Sequence, residues 1–393
     1  MELTLASVKL PAIRPAEKVL LGYVAYAVLR MAIAGRFAVH FGLLPGPDLF
    51  LVFLAIVTAR LFAEYTRFSL PGSARTVHRA LALVAAAGAA IGLAVVGLES
   101  WRDYGDARAA STWLLFLREQ ASRIGLALLL PSFAWLVVGR RLRETPEAAA
   151  ALAPLPLARE ALSVLGGAAR DWLAVVLTIY AYSSTEASGA LFGDADDALK
   201  HVDRALFFGH DPNVLLERVI SPALSEWMAG CYVFYLFLFP IALGVVYAID
   251  PPRFRWLAFS VALTLALGYV GYSLVPARGP VFTTHFDVSL DVYYLQPVKE
   301  QLMDRMRVPR DCFPSLHTAA SLVLLRGTYR SAPKLALALA PIVLTIPIAC
   351  VYLRYHYVVD VIAGIALFAL VAKIEGAVAV RHGDAATSVR QTR

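Results

Sequence analysis

The chain has little charge and few cysteines, and both shortages narrow the class of protein. Only 17% of its 393 residues are charged, whereas 59% are hydrophobic. Soluble domains carry about 25% charged residues, so an ordinary soluble protein is excluded. Three cysteines, Cys231, Cys312 and Cys350, are too few to suggest a disulfide framework or a metal cluster. A Cys312–Cys350 disulfide is conceivable, but buried free thiols are the favoured state.

The sequence is rich in long apolar stretches, and its mean hydropathy is +0.65. A helix of about 20 apolar residues crosses a hydrocarbon layer about 30 Å thick. The sequence contains about ten candidate stretches and therefore predicts an all-α, polytopic integral membrane bundle. The predicted spans are residues 18–34, 48–63, 77–98, 123–139, 172–191, 224–249, 254–276, 313–325, 334–353 and 357–379. Arg30 interrupts the first span, for which an interfacial helix is the alternative.

Basic residues alternate with the spans and predict the orientation in the membrane. Loops rich in arginine and lysine face the cytoplasm, whereas the acidic loop after the fifth span would face outward. Both termini are then cytoplasmic, and a cell inner membrane is expected. The basic residues that follow the second, fourth, sixth and eighth spans are Arg60, Arg67, Arg75, Arg79, Arg140, Arg141, Arg143, Arg253, Arg255, Arg326, Arg330 and Lys334. Such cations beside anionic lipids explain the net charge of +7, so no nucleic-acid partner is predicted.

A charged segment with three prolines, residues 140–156, reads as a linker. About four predicted spans precede it, with few polar residues capable of chemistry, and six follow it. We therefore expect residues 1–155 to form an N-terminal transmembrane module and residues 156–393 to form a six-helix catalytic domain.

Two short segments place histidine, aspartate and arginine at the ends of apolar stretches, where polar groups usually have a function. His356 and Asp360 are four residues apart, which on a helix means about 40° around the axis and about 6 Å along it. The carboxylate would fix the imidazole tautomer and leave the other nitrogen as a nucleophile. His317 would move a proton on the opposite side of the reacting centre. Arg354 offers a fork of donors for phosphate, so the pattern predicts phosphoryl transfer.

These segments resemble a known family. The pattern Pro-Ser-x-His at residues 314–317, followed by Val-Tyr-Leu-x-x-His-Tyr-x-x-Asp-Val at residues 351–361, resembles the type 2 phosphatidic acid phosphatase superfamily. Its members are membrane-embedded, metal-independent lipid phosphatases and phosphotransferases. The resemblance extends over roughly residues 170–379. Leu316, where the phosphatases usually have glycine, is closer to the inositol phosphorylceramide synthase branch.

Two family motifs differ in this chain. In the first motif, Gly271 lies where the superfamily has a lysine, and Arg278 is followed by Gly279 before the proline. In the third, Cys350 replaces the usual arginine six residues before the histidine. Arg354 lies four residues later, and an i, i+4 relation on a helix would let its side chain reach much the same phosphate.

The resemblance implies a mechanism without metal or cofactor. His356, oriented by Asp360, attacks phosphorus and forms a phosphohistidine, while His317 protonates the leaving oxygen and then deprotonates the acceptor. The substrate would be a phospholipid or a lipid phosphate in the membrane. With a lipid or polyol hydroxyl as acceptor the protein is a phosphotransferase, and with water it is a phosphatase. The residues implied to bind the phosphate are Arg278, Ser315 and Arg354.

Three alternatives use the same residues differently. The pair of His356 and Asp360 could be a structural link between helices, and two histidines with an aspartate could form part of a zinc site. Intramembrane charges also line transport paths, but no interrupted inverted repeat is visible in the sequence. Arg278, His317 and His356 all fall at the outer ends of their predicted spans, which favours one enzyme site at the outer leaflet.

Overall fold

The computed structural model describes residues 12–34, 170–179, 181–183, 192–290 and 310–381. Within these ranges, helices are the only regular secondary structure, which confirms the predicted all-α fold. The longer helices are α1 (Pro15–Ala34), α2 (residues 170–179), α3 (Asp196–Leu206), α4 (Pro222–Ile249), α5 (Pro251–Leu274), α6 (Leu316–Ser331), α7 (Pro333–Tyr352) and α8 (Val358–Arg381). Single helical turns lie at Ala181–Ser183, Pro212–Leu215, Leu216–Val219 and Pro280–Thr283.

Four of the described helices, α4, α5, α7 and α8, are long and apolar enough to cross a membrane. Their bounds agree within a few residues with predicted spans, and several such helices make the chain a multi-pass membrane protein. The predicted spans 48–63, 77–98 and 123–139 lie outside the described residues. So do the linker and the boundary between the two predicted domains.

The first and fifth predicted spans differ from the structure. Helix α1 has 20 residues but is not one of the four apolar helices that could cross a membrane, because Glu17, Lys18 and Arg30 make it too polar. The predicted span 172–191 is helical only as far as residue 179 among the described residues. A separate single turn follows at Ala181–Ser183.

Helix α6 is longer than its predicted span and ends in a charge cluster around the buried Glu375. Glu375 of α8 pairs with both Arg326 and Arg330 of α6. Its Oε2 also accepts the Ser260 hydroxyl at 3.2 Å. Because the two cations have a carboxylate partner, α6 continues past the apolar residues. The basic residues predicted to face the cytoplasm therefore lie at the end of α6 opposite His317.

Close contacts between helices position the N-terminal end of α6, which carries His317. Helix α5 is the most deeply buried of the four long apolar helices and packs against α4, α6 and α8. A Cβ on Gly364 of α8 would lie 2.6 Å from the Ser315 carbonyl oxygen, and a Cβ on Gly271 of α5 would collide with Pro314. Larger residues would push apart the helix ends on which the predicted site residues lie.

Candidate active site

The two sequence motifs meet at one end of the helical bundle. The start of α6 is joined to the first turn of α8, because the Ser315 N–H donates to the Asp360 carbonyl oxygen at 3.0 Å. The imidazole rings of His317 and His356 lie 5.7 Å apart between centroids, with their planes at 63°. Residues separated by about forty positions therefore lie side by side, as one site requires.

His356 lies in the turn between α7 and α8. Because α7 ends at Tyr352 and α8 begins at Val358, the predicted helical offset between His356 and Asp360 is wrong. The two side chains meet nevertheless, with Nδ1 of His356 3.4 Å from Oδ2 of Asp360. The same carboxylate oxygen accepts the Tyr357 N–H at 2.8 Å and so satisfies a backbone donor where α8 begins. The hydrogen bond at the start of α8 thus fixes the Asp360 carboxylate that orients the His356 imidazole.

Cys312 adds to the support of His356, although the sequence did not single it out for the site. Its Sγ lies 2.9 Å from Oδ2 of Asp360 and 3.5 Å from Nδ1 of His356. Burial, together with the charge of Asp360, raises the pKa of the Cys312 thiol, so the thiol stays protonated and donates to the carboxylate. All three cysteines are free thiols. Since Nδ1 of His356 faces Asp360 and Cys312, Nε2 is the ring nitrogen left for a substrate.

Aromatic rings surround His317 at the start of α6. The ring of Tyr232 stacks on the imidazole at 4.5 Å and 20°, and that of Tyr235 lies at 4.3 Å and 42°. Tyr232 also stacks on Tyr355 at 4.8 Å and 26°. We call Tyr232, Tyr235 and Tyr355 the aromatic wall. The sequence did not reveal it, because two tyrosines three residues apart in an apolar helix carry no sign of the histidine that they contact.

Ser315 is the N-cap of α6. Its buried Oγ accepts the Thr318 N–H at 3.4 Å and the Thr318 hydroxyl at 3.1 Å. A helix N-terminus favours anions, but the Ser315 hydroxyl already has partners within the protein. Its part in phosphate binding stays a prediction.

Arg354 follows the end of α7 with a left-handed backbone conformation, φ +66°. The chain has left the helix by this point, so the predicted i, i+4 relation to Cys350 is wrong. The guanidinium donates to Oε1 of Glu217 at 3.1 Å and to the Val288 carbonyl oxygen at 2.6 Å, and it lies 3.9 Å from the centre of the Phe286 ring. Burial lowers the pKa of Arg354, and the charge of Glu217 opposes that effect. Both hydrogen bonds are donated by Nη2, so a phosphate could either bind another guanidinium nitrogen or replace Glu217 as the partner.

Arg278 lies in the loop after α5, and its side chain is 49% exposed. Its Nε is 3.6 Å from a carboxylate oxygen of Asp194 and 4.0 Å from one of Asp196. The loop itself packs on the turn that contains His356. Gly279 has φ +96°, and a Cβ there would lie 2.5 Å from the Tyr355 carbonyl oxygen, so only glycine fits. Arg278 therefore borders the candidate site, with its guanidinium beside carboxylates.

Helix α3 and the turn after it hold the His356 turn through backbone groups. The Asp203 carboxylate accepts the N–H groups of Val358 and Val359 at 2.7 and 2.8 Å. The Asn213 amide donates to the His356 carbonyl oxygen at 3.1 Å. The sequence predicted only an acidic outward loop here, because contacts across more than a hundred residues leave no local pattern.

Two groups of potential metal ligands share His356. Ligand atoms of His317, Cys350 and His356 lie within 4.8 Å of one another, and the same holds for Cys312, His356 and Asp360. The sequence suggested two histidines and an aspartate as the alternative zinc site. In the described residues, each group instead contains a cysteine.

A comparison with models of protein families tests the resemblance found in the sequence. Residues 197–374 match the family model of the PAP2 superfamily. The matched range begins in α3, ends in α8 and contains every residue predicted for the site. The match supports the resemblance to this superfamily and, in general terms, a phosphatase or phosphotransferase of lipid phosphates. Comparison with curated proteins and with solved structures finds no match.

Proposed function

We propose that the protein is a membrane lipid phosphotransferase similar to inositol phosphorylceramide synthase. It would move a phosphoryl-containing headgroup from a phospholipid to a hydroxyl acceptor through a phosphohistidine. The main support is the pair of imidazoles 5.7 Å apart, of which His356 has its Nδ1 against Asp360. This pair offers a nucleophile and a general acid-base group within reach of one phosphorus atom.

The proposed reaction has two steps. Nε2 of His356 attacks phosphorus, and the bond to the leaving oxygen breaks as His317 protonates that oxygen. Asp360 stabilises the positive charge that develops on the His356 imidazole. His317 then accepts the proton of the acceptor hydroxyl, whose oxygen attacks the same phosphorus and releases His356. The proton given in the first step is recovered in the second, so the enzyme returns to its starting state.

The charge on the transferred group must also be neutralised. Arg278 and Arg354 are the proposed cations, and each lies beside a carboxylate, Asp194 or Glu217 respectively. The substrate phosphate would replace these carboxylates as the partner of each guanidinium. Such an exchange avoids leaving a partly buried cation unpaired. Ser315 would contribute the N-terminus of α6.

The aromatic wall favours an organic acceptor over water. Tyr232 and Tyr235 pack on His317, the residue proposed to activate the acceptor. Their rings restrict the approach of water and offer apolar surface to a larger alcohol. A lipid phosphate phosphatase is the alternative function. Leu316 packs against Gly268 of α5. If Leu316 affects the choice of acceptor, it would do so by changing how α6 packs on α5.

Product analysis tests this proposal. Purified protein is incubated with a panel of phospholipids, with and without polyol or lipid alcohols, and the lipids are identified by mass spectrometry. We expect a new phosphodiester that forms only when an acceptor alcohol is present. Release of inorganic phosphate from a lipid phosphate in the panel, at full rate without any alcohol, would favour the phosphatase. His356→Ala protein is the inactive control.

The proposed location is a cell inner membrane, with the site facing outward and both termini cytoplasmic. Residues 1–155 would form an N-terminal transmembrane module before the catalytic domain, residues 156–393. Single-cysteine labelling with a membrane-impermeant thiol reagent tests the orientation, because the native cysteines are buried. Phe208→Cys should react in intact cells, whereas Lys334→Cys should react only after permeabilisation. The reverse pattern would invert the orientation.

A further inference from the structure

Cys350 brings a sulfur ligand beside the two histidines of the site. Its side chain is buried in α7, and its sulfur lies within 4.8 Å of ligand atoms of His317 and His356. The Cys350 carbonyl oxygen accepts the His356 N–H at 3.1 Å, so the backbone itself holds these two residues together. A thiol here, in place of the arginine of the family motif, supplies a metal ligand where a cation would repel a metal ion.

The three donors suit one kind of ion. Two imidazole nitrogens and a thiolate form a ligand set typical of Zn²⁺. With Zn–N bonds of about 2.0–2.1 Å and a Zn–S bond of about 2.3 Å, tetrahedral ligand atoms lie about 3.4–3.6 Å apart. The present separations are at most 4.8 Å. Closing them requires side-chain shifts on the order of 1 Å, which small changes of torsion angle provide.

The surroundings already orient both imidazoles. Asp360 lies 3.4 Å from Nδ1 of His356, and a carboxylate on the second ring nitrogen is the usual support of a zinc-bound histidine. That contact leaves Nε2 for the metal. The rings of Tyr232 and Tyr235 pack on His317 and restrict its plane. Because both imidazoles are already held in place, zinc binding costs little side-chain conformational entropy.

We propose that His317, Cys350 and His356 bind one zinc ion and that the bound ion inhibits the enzyme. Binding converts the Cys350 thiol to a thiolate and releases its proton to solvent. The ion occupies the nitrogen lone pairs that both histidines need for phosphoryl transfer. The fourth coordination position stays open to water or to a phosphate oxygen. The inhibition rests on the proposed function, whereas the metal binding does not.

Metal binding is tested directly on the purified full-length protein in detergent, with any affinity tag removed. Equilibrium dialysis should give one tightly bound Zn²⁺ per chain, and Co²⁺ should produce a thiolate-to-metal charge-transfer band. Cys350→Ser should weaken zinc binding by at least about tenfold and abolish the band. Cys231→Ser removes another buried thiol that is not a ligand and should retain both. The absence of a bound ion, or equal binding by Cys350→Ser, would overturn the proposal.

The second candidate ligand group supplies a further discrimination. Loss of the Co²⁺ band in Cys312→Ser, with retention in Cys350→Ser, would assign the metal to Cys312, His356 and Asp360 and would also overturn the proposal. Retention of the band in Cys312→Ser is the expected result.

Inhibition is then measured as the zinc concentration that halves lipid turnover. Cys350→Ser should raise it by at least about tenfold while its turnover without zinc stays within a few-fold of the unmodified protein. A chelator should restore the activity of the zinc-inhibited enzyme. Turnover that rises with zinc would contradict an inhibitory site. If the chain turns over no lipid but the dialysis and Co²⁺ results hold, the proposed function fails and the metal site stands.

Discussion

The Asp203 carboxylate caps helix α8 by accepting the Val358 N–H at 2.7 Å, across a separation of 155 residues. Helix α8 begins directly after the turn that contains His356, and its first turn carries Asp360. A side chain of α3 thus fixes the backbone from which the proposed nucleophile and its carboxylate partner project. This contact makes α3 part of the support of the site.

Replacing Asp203 with alanine should lower both stability and turnover. Loss of a helix cap costs about 1–2 kcal/mol, and a displaced His356 turn should reduce kcat by about tenfold or more. Thermal unfolding in detergent and lipid turnover measure the two effects. Asp197→Ala, an exposed carboxylate of the same helix, is the matched control. Equal effects in the two variants would contradict the role of the cap.

The pH dependence of stability should also depend on Asp203. Burial raises its pKa from 3.8 to about 6 in the folded protein, although the Val358 and Val359 N–H groups oppose the shift. The folded state therefore holds this proton more tightly than the unfolded state. Tighter proton binding by Asp203 in the folded state therefore increases the free energy of unfolding. This contribution is complete below about pH 4 and is lost as the pH rises through about 6. Unfolding temperatures between pH 4 and 7 should fall less steeply in Asp203→Ala, and parallel curves would contradict the assignment.

The sequence predicted the long apolar helices and the meeting of His317 with His356. The thickness of the membrane sets the length of an apolar helix that crosses it. The sequence alone therefore predicted α4, α5, α7 and α8. Successive spans cross the membrane in opposite directions. The ends of the spans at which the two histidines lie are therefore on the same side of the membrane. Both predictions depend on properties that are local in the sequence.

The supporting contacts could not be predicted in the same way. Cys312, just before α6, contacts Asp360 of α8 across 48 residues. Asn213 donates to the His356 carbonyl oxygen from the helical turn Pro212–Leu215. Neither contact follows a helical period. The misplaced Arg354 has a specific cause, because a left-handed residue after α7 ends the helix, and no glycine marks that position.

Catalysis should pass through His356. His356→Ala should abolish turnover, because the nucleophile is lost. Asp360→Asn should lower kcat by about 10²–10⁴-fold, since the imidazole loses its orienting charge. His210→Ala removes an exposed histidine and should leave turnover unchanged. Rapid quenching in alkaline detergent with labelled lipid should trap an adduct that is stable in alkali and labile in acid, in the unmodified protein only. Normal turnover in His356→Ala would end the assignment.

Activity should survive removal of metal ions. The proposed steps use histidine and arginine for the work that a Lewis acid does in metal-dependent enzymes. Exhaustive dialysis against a chelator should leave turnover intact, and vanadate, which mimics five-coordinate phosphorus, should inhibit. Loss of turnover that only added zinc restores would show that the metal-free mechanism is wrong.

Arg354 is paired with Glu217 at 3.1 Å, yet its buried Nε has no hydrogen-bond partner within the described residues. If substrate phosphate replaces Glu217, then Glu217→Gln should lower KM several-fold, because the guanidinium is released. Arg354→Ala should reduce kcat/KM by about 10²–10³-fold through lost charge stabilisation. Arg354→Lys should recover part of this, since a point charge lacks the two-pronged contact. The exposed Arg218→Ala is the control.

The double variant Glu217→Gln, Arg354→Ala separates a role in phosphate binding from a role in folding. Arg354→Ala alone leaves the largely buried Glu217 carboxylate without its cation, which costs about 1–3 kcal/mol of stability. Neutralising Glu217 removes most of that cost, so the double variant should unfold at nearly the normal temperature. If Arg354 binds phosphate, turnover stays low although stability returns. If turnover returns together with stability, Arg354 serves only to hold the loop that contains Val288, and Arg278 is left as the proposed cation for the phosphate.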